Sequence, residues 1–192
     1  MMIKTLMSIS AALLFLIPWE SMAVQAPATT PDGRRLTICE LMADLSAYKN
    51  LVVTVIGEYN SDPERSSLGA TACKKPFTTF GYEWPSALQL RRVGGRDTPS
   101  KVPFDPDSAS IESFDRAVRS LTAMTVQGCL EITGMVQVRE DYTPTFRMAN
   151  GKMRGLGFGH MNALPAQLII KSVRVLSLQA YNPATQCMCC DR

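Results

Sequence analysis

The stretch Val126–Glu140 reads VQGCLEITGMVQVRE, and its alternation decides the fold class. From Val126 to Val138 every second residue is apolar or glycine, and most of the residues between them are polar. A period of two sustained over 13 residues predicts a β-strand rather than a helix. Gly128 and Gly134 belong to the apolar set, which predicts the strong bend that a tight barrel requires.

Further elements are predicted on both sides of this strand. Thr37 and Glu40 have the spacing of a capping box, so a short helix is expected to begin there and to end at Asn50. Apolar residues at helical spacing predict a second helix over 110–121. The pattern predicts four more strands, of which the second is the weakest, at 51–59, 68–73, 84–93 and 167–178. Turn residues follow the first strand at Asn60–Pro63, and a register change near Ser172–Val173 predicts a bulge in the last.

The predicted order is one helix, three strands, a second helix and two strands. Three strands, a helix and two strands is the order of the five-stranded OB barrel. The prediction is therefore a mainly β protein with two helices, folded as an OB-like barrel with an added N-terminal helix. A small mixed α+β sandwich is the structural alternative.

Two segments resemble a known group of proteins. Leu41–Gly57 (LMADLSAYKNLVVTVIG) resembles the opening of small bacterial OB-fold domains of the tRNA-anti-like type. Gly157–Ile170 (GFGHMNALPAQLII) resembles the closing segment of exported bacterial proteins of that sort, which have no assigned activity. The resemblance implies an OB-like fold and a periplasmic or secreted location. It does not imply nucleic-acid binding, because the third strand lacks stacking aromatics and the basic residues are scattered.

The N-terminus has the pattern of a secretory signal. Lys4 precedes an apolar run at Leu6–Ile17, and small residues allow cleavage after Ala23. A retained N-terminal anchor is the alternative. The predicted organisation is a signal peptide at 1–23, a linker at 24–36, an OB-like domain at 37–180 and a Cys-rich tail at 181–192. No later apolar run reaches the length of a membrane helix, so we expect no integral membrane segment after cleavage.

Composition and cysteine count agree with an exported globular protein. The chain has 192 residues, of which 46% are hydrophobic and 19% charged, with a net charge of +3. These values exclude a disordered chain and do not point to a nucleic-acid or membrane-surface partner. The even number of cysteines predicts disulfides among Cys39, Cys73, Cys129, Cys187, Cys189 and Cys190. Cys39–Cys73 is the preferred pair, and Cys129 is expected to face outward and to bond a covering segment such as the tail. The C-x-x-C of the tail lacks the helix of redox motifs, although thiol-redox chemistry and soft-metal binding remain alternatives.

Motifs of common enzymes are missing. The sequence has no G-x-S-x-G elbow and no phosphate loop, and the glycines of GLGFGH at 155–160 depart from the dinucleotide spacing. A single histidine excludes a metal site built from several imidazoles of one chain. We therefore predict no catalytic residue, metal or cofactor. The predicted ligand residues, placed on the sheet and its flanking loops by analogy with OB barrels, are Trp84, Tyr142, Gly157, Gly159 and His160.

The leading functional prediction is an exported, non-enzymatic OB-fold module that binds a protein, peptide or envelope polymer. Its recognition surface would comprise the segments 60–83, 94–107 and 141–160, because long loops in compact domains are often functional. A small hydrolase or thiol-redox protein using His160 or the C-terminal cysteines is the alternative, and a structural envelope protein is a third. Arg91–Arg92 and Lys74–Lys75 fit either an anionic ligand or solvated surface charge.

Overall fold

The computed structural model describes residues 34–71, 73–95, 97–139 and 142–183. The predicted signal peptide, residues 24–33 of the predicted linker and the three tail cysteines lie outside the described residues. The described strands are β1 (Arg35–Thr37), β2 (Val52–Asp62), β3 (Arg65–Gly69), β4 (Thr78–Thr79), β5 (Tyr82–Glu83), β6 (Ala87–Arg91), β7 (Val126–Val138), β8 (Pro144–Arg147), β9 (Met153–Gly155) and β10 (Ala166–Ala180). The helices are α1 (Ile38–Ala43) and α2 (Ser108–Ser120), with 3₁₀ helices at Leu45–Tyr48 and His160–Asn162.

Five strands form a ring in which each strand pairs with two others. β2 pairs with β3, β3 with β6, β6 with β10, β10 with β7, and β7 again with β2. The β6–β10 pair is parallel and the other four are antiparallel. β1 adds a short parallel strand beside β2. The prediction of a mainly β protein with two helices is confirmed for the described part of the chain.

Strand β7 confirms the alternation seen in the sequence. Leu130, Ile132 and Val136 are fully buried in the core. Gly128 and Gly134 stand so close to β10 that an added Cβ atom would lie 2.2 Å and 2.4 Å from carbonyl oxygens of that strand. β10 has register shifts between 170 and 172 and between 175 and 177, next to the residues that pair with these glycines. The bulge predicted near residue 172 is therefore confirmed, and the glycines allow the two strands to bend together at short distance.

Helix α1 begins with the predicted capping box. The Glu40 amide donates to Thr37 Oγ1 at 3.2 Å, and the Glu40 carboxylate accepts a bond from the Thr37 amide at 2.8 Å. The α-helix ends at Ala43, earlier than predicted, since Asp44 takes a non-helical conformation and the chain continues as a 3₁₀ helix. Ile38, Leu41, Met42 and Leu45 are buried against the ring.

A disulfide joins α1 to the segment between β3 and β4. It links Cys39 to Cys73 with a Cα–Cα distance of 5.2 Å, which confirms the preferred pair. In the described residues no helix combines the length and apolar character needed to cross a membrane. The disulfide is compatible with an exported protein.

Helix α2 packs its apolar face on the ring. Asp107 caps it by accepting a bond from the Ser110 amide at 3.1 Å. Ile111 and Phe114 are buried, and the Phe114 ring meets Tyr59 edge-on with 5.2 Å between centroids. The helix predicted over 110–121 is therefore present, shifted towards its N-terminal cap by one or two residues.

Several predicted boundaries are wrong. β2 continues to Asp62 through the turn predicted at 60–63, and the second ring strand spans 65–69 rather than 68–73. The cause is pairing, because β3 and β7 both bond to β2 along its polar end. Leu36 of the predicted linker lies in β1 and is buried, so that part of the segment is not a linker. Two small hairpins, β4–β5 and β8–β9, occupy segments predicted as loops.

Candidate functional site

Trp84 and Tyr142, two of the predicted ligand residues, lie in one aromatic cluster. Their ring centroids are 5.4 Å apart, Tyr82 meets Trp84 edge-on at 5.2 Å, and Phe77 lies 5.4 Å from Tyr142. Trp84 is 2% exposed and Tyr142 is 8% exposed. The indole Nε1 of Trp84 donates to Thr79 Oγ1 at 2.7 Å. The structure therefore brings the two residues together, with most of their surface against the protein's own side chains.

The hydroxyl of Tyr142 holds two distant segments together. It donates to the carbonyl oxygen of Pro165 at 2.5 Å. Burial raises the pKa of the Tyr142 phenol above its usual value, although Arg139 acts in the opposite direction. The hydroxyl therefore stays protonated at neutral pH and acts as a donor rather than a base.

Gly157 and Gly159 allow the backbone to lie close to neighbouring residues. A Cβ atom at Gly157 would lie 2.2 Å from the Leu164 carbonyl oxygen and 2.7 Å from the Trp84 ring. Gly159 has a φ of +78°, and a Cβ atom there would lie 2.3 Å from Gln89 Oε1. Glycine tolerates both the close approach and the positive φ. These contacts give each glycine a packing role of its own, and a ligand-binding role for either remains a prediction.

His160 lies at the surface, at the start of a 3₁₀ helix. Its Nε2 atom is 3.5 Å from Glu64 Oε2, and its side chain is 51% exposed. Glu64 belongs to the two-residue connection between β2 and β3. Contact between the histidine and a carboxylate forms an ion pair only while the imidazole is protonated. A ligand-binding or catalytic role for His160 remains a prediction.

A groove of about 380 Å³ lies beside these predicted residues. Pro85 and Ala163, which line it, directly follow Trp84 and the 3₁₀ helix of His160 in the chain. We call it the Tyr181 groove; other lining residues are Asn60, Asp62, Arg65, Ser67, Leu164 and Tyr181. β2 and β3 thus contribute polar residues to a groove that Tyr181 also lines.

Hydrogen bonds join residues of the Tyr181 groove at the turn between β2 and β3. Asp62 accepts bonds from the amides of Glu64 at 2.9 Å and Arg65 at 3.0 Å, and from Arg65 Nε at 3.1 Å. These bonds, the Glu64 amide first, lower the pKa of Asp62, so its carboxylate stays ionised at neutral pH. The Tyr181 amide donates to the Thr125 carbonyl oxygen at 2.9 Å, and the residue is 53% exposed. A groove lined by an exposed ring and by polar groups suits a ligand with both an apolar face and hydrogen-bonding groups.

The segment 94–107 packs on the outside of the sheet. Val102 and Phe104 join Val93 against a small buried cluster of Val52, Met135 and Ile169. The Asp97 carbonyl oxygen accepts a bond from Gln167 Nε2 at 2.8 Å. This segment, predicted as part of the recognition surface, therefore also covers part of the sheet, and its role in recognition remains a prediction.

Of the remaining cysteines, the structure describes Cys129 alone. Cys129 is buried in β7, and its amide donates to Ser177 Oγ at 3.2 Å. Cys187, Cys189 and Cys190 lie outside the described residues, so a bond between Cys129 and the tail remains a prediction. Within the residues that the structure describes, no group of three or more His, Cys, Asp or Glu side chains is arranged to hold a metal ion.

Sequence reasoning missed Tyr181, whereas the polar lining residues Asn60, Asp62, Arg65 and Ser67 lie in the segment 60–83 that was predicted as part of the recognition surface. Tyr181 directly follows β10 and is the aromatic residue of a polar stretch, which was the available signal. Asp62 was predicted as a turn residue, and its position in the groove depends on the extension of β2. The sequence matches no protein-family model and no curated protein.

Proposed function

We propose that this protein is an exported, non-enzymatic OB-fold module that binds a protein, peptide or envelope component. The ring supports the OB assignment. In chain order its strands are β2, β3, β6, β7 and β10, and α2 connects the third to the fourth. An OB barrel has the same number of strands in a Greek-key arrangement. The cross-linked α1 would then be the added N-terminal helix.

The Tyr181 groove is the observation that carries the binding proposal. OB barrels bind ligands on the face of their second and third strands and on the loops after the first and fourth. Arg65 and Ser67 of β3, Ala87 of β6 and Leu164 of the connection after β7 line the groove. The groove therefore combines the elements that this fold uses for recognition, which is an argument from fold analogy.

Export is supported by the disulfide. Disulfides form and persist in oxidising compartments and are rare in the cytosol. The Cys39–Cys73 bond together with the secretory pattern of the first 23 residues favours a periplasmic or secreted location. Proteomic sequencing of the mature N-terminus tests this, and a chain that still begins at Met1 would contradict it.

Binding is tested by selection on two kinds of ligand. The wild-type protein is panned against displayed random peptides and against an array of soluble envelope saccharides. Tyr181→Ala removes the exposed ring from the groove, and Leu176→Ala removes an exposed apolar side chain of β10 that does not line it. We expect selected ligands to bind about tenfold more weakly to Tyr181→Ala, as for an interface tyrosine, and equally well to Leu176→Ala. Failure to select any ligand, or equal affinity for both variants, contradicts the proposal.

The alternative of a hydrolase or thiol-redox enzyme makes a different prediction. A thiol count on protein purified without reductant excludes thiol chemistry if all cysteines are oxidised. A hydrolytic activity that His160→Ala abolishes would instead favour the enzyme. The non-enzymatic proposal expects neither free thiols nor such an activity.

A further inference from the structure

A second groove lies against α2, and arginines dominate it. It has a volume of about 260 Å³ and is lined by Arg91 and Arg92 at the end of β6 and by Arg119 of α2. We call it the arginine groove. The residue Ser61 lines both this groove and the Tyr181 groove, whereas none of the three arginines lines the Tyr181 groove.

The arginine groove carries two uncompensated positive charges. Arg92 is ion-paired with Asp115, the acidic residue of the lining. Within the described part of the chain, Arg91 and Arg119 have no acidic partner within 4.0 Å. The three guanidinium groups and one carboxylate therefore leave a net charge of about +2 in one small groove.

Arg91 also has a buried donor that lacks an acceptor. Its Nε atom is removed from solvent and, among the described residues, has no hydrogen-bond partner. A buried donor without an acceptor costs free energy, so such groups in native proteins usually find a partner. Because this Nε atom is out of contact with solvent, a ligand in the groove would meet other atoms of the Arg91 guanidinium group.

The floor of the arginine groove is apolar. Tyr59 and Phe114, both buried, meet there edge to face, and Leu90 and Val118 also line the groove. Aromatic and aliphatic walls favour a ligand with a hydrophobic part. The volume is slightly below the usual range of ligand pockets, about 300–1,000 Å³, which favours a small ligand.

We propose that the arginine groove binds a small organic phosphate monoester. A phosphate monoester carries close to two negative charges at neutral pH, which matches the two unpaired guanidinium groups. Arginine presents its donors in a planar fork that fits phosphate oxygens, and the apolar floor receives the organic group. This site goes beyond the proposed binding function, because it involves a different groove and a different ligand class.

The test compares three probes and three variants by isothermal titration calorimetry. The ionic strength is about 0.15 M, because salt at that concentration screens long-range electrostatic attraction. The probes are phenyl phosphate, inorganic phosphate and benzoate. Arg91→Gln and Arg119→Gln each remove one charge from the groove. Arg116→Gln is the matched control, because it removes an exposed arginine of the same helix that does not line the groove.

We expect phenyl phosphate to bind more tightly than inorganic phosphate, and both more tightly than benzoate. Each groove variant should weaken phenyl phosphate binding about tenfold, the effect of losing a charge-assisted hydrogen bond, and the control by less than about twofold. No binding of phenyl phosphate, equal binding of benzoate, or an equal loss in Arg116→Gln overturns the proposal. Arg119 is exposed, so its variant tests the site even if Arg91→Gln unfolds. Tyr181→Ala should bind phenyl phosphate normally, which separates this proposal from the first.

Discussion

Removal of the Cys39–Cys73 disulfide should destabilise the protein strongly. The bond closes a loop with a sequence separation of 34 residues. A cross-link of that length lowers the entropy of the unfolded chain by an amount equivalent to about 4 kcal/mol at room temperature. Both cysteines are only half-buried, so replacement of both by alanine should add little further loss from packing.

Urea denaturation followed by circular dichroism measures this effect. With a slope of about 2 kcal/mol per molar urea, a loss of that size lowers the midpoint by about 2 M. Peptide mapping without reductant shows whether the double variant Cys39→Ala/Cys73→Ala keeps the pairing of the other cysteines. A midpoint shift below about 0.5 M at an unchanged slope would refute the loop-entropy reasoning.

Four smaller changes test other parts of the fold by urea denaturation. Gly134→Ala places a methyl group 2.4 Å from a β10 carbonyl oxygen and should cost about 1–3 kcal/mol. Thr37→Ala removes the helix cap and should cost about 1 kcal/mol. Glu40 has a lowered pKa, chiefly because its carboxylate accepts a hydrogen bond from the Thr37 amide. Its contribution to the free energy of unfolding is therefore present above the pKa of an unfolded glutamate, and it is lost as the pH falls through the pKa of the folded state. Glu40→Gln should accordingly be less stable than wild type at neutral pH, with a difference that vanishes in acid. Tyr142→Phe removes the donor to a buried carbonyl oxygen and should cost about 1–2 kcal/mol.

For each of these four predictions, one result would contradict the reasoning. A Gly134→Ala variant as stable as wild type would show that the close approach to β10 is unimportant. Thr37→Ala without effect would show that the Thr37–Glu40 capping box contributes nothing. A Glu40→Gln difference that grows in acid would contradict the sign of its pKa shift. A Tyr142→Phe variant as stable as wild type would show that the hydroxyl bond adds nothing to the fold.

The sequence predicted those elements whose pattern lies within a short run of consecutive residues. β7 and α2 follow from periodicity, because alternate burial and helical spacing are written in consecutive residues. The capping box at Thr37 depends on two side chains three positions apart, so it was equally visible. β1 was missed because three residues are too few to show a period, and its partner β2 lies far along the chain.

Sequence alone determined that the protein is mainly β with two helices, where its two longest strands and its helices lie, and which cysteines to expect in a disulfide. Only the tertiary structure decided that five strands close into a ring, that Trp84 packs on Tyr142, and that two grooves form. The reason is that these features join segments distant along the chain. Strand and helix patterns specify which side of each element is buried. The placement of Arg91 and Arg119 in one groove, and of Arg65 and Tyr181 in another, depends on which elements pair and in which register.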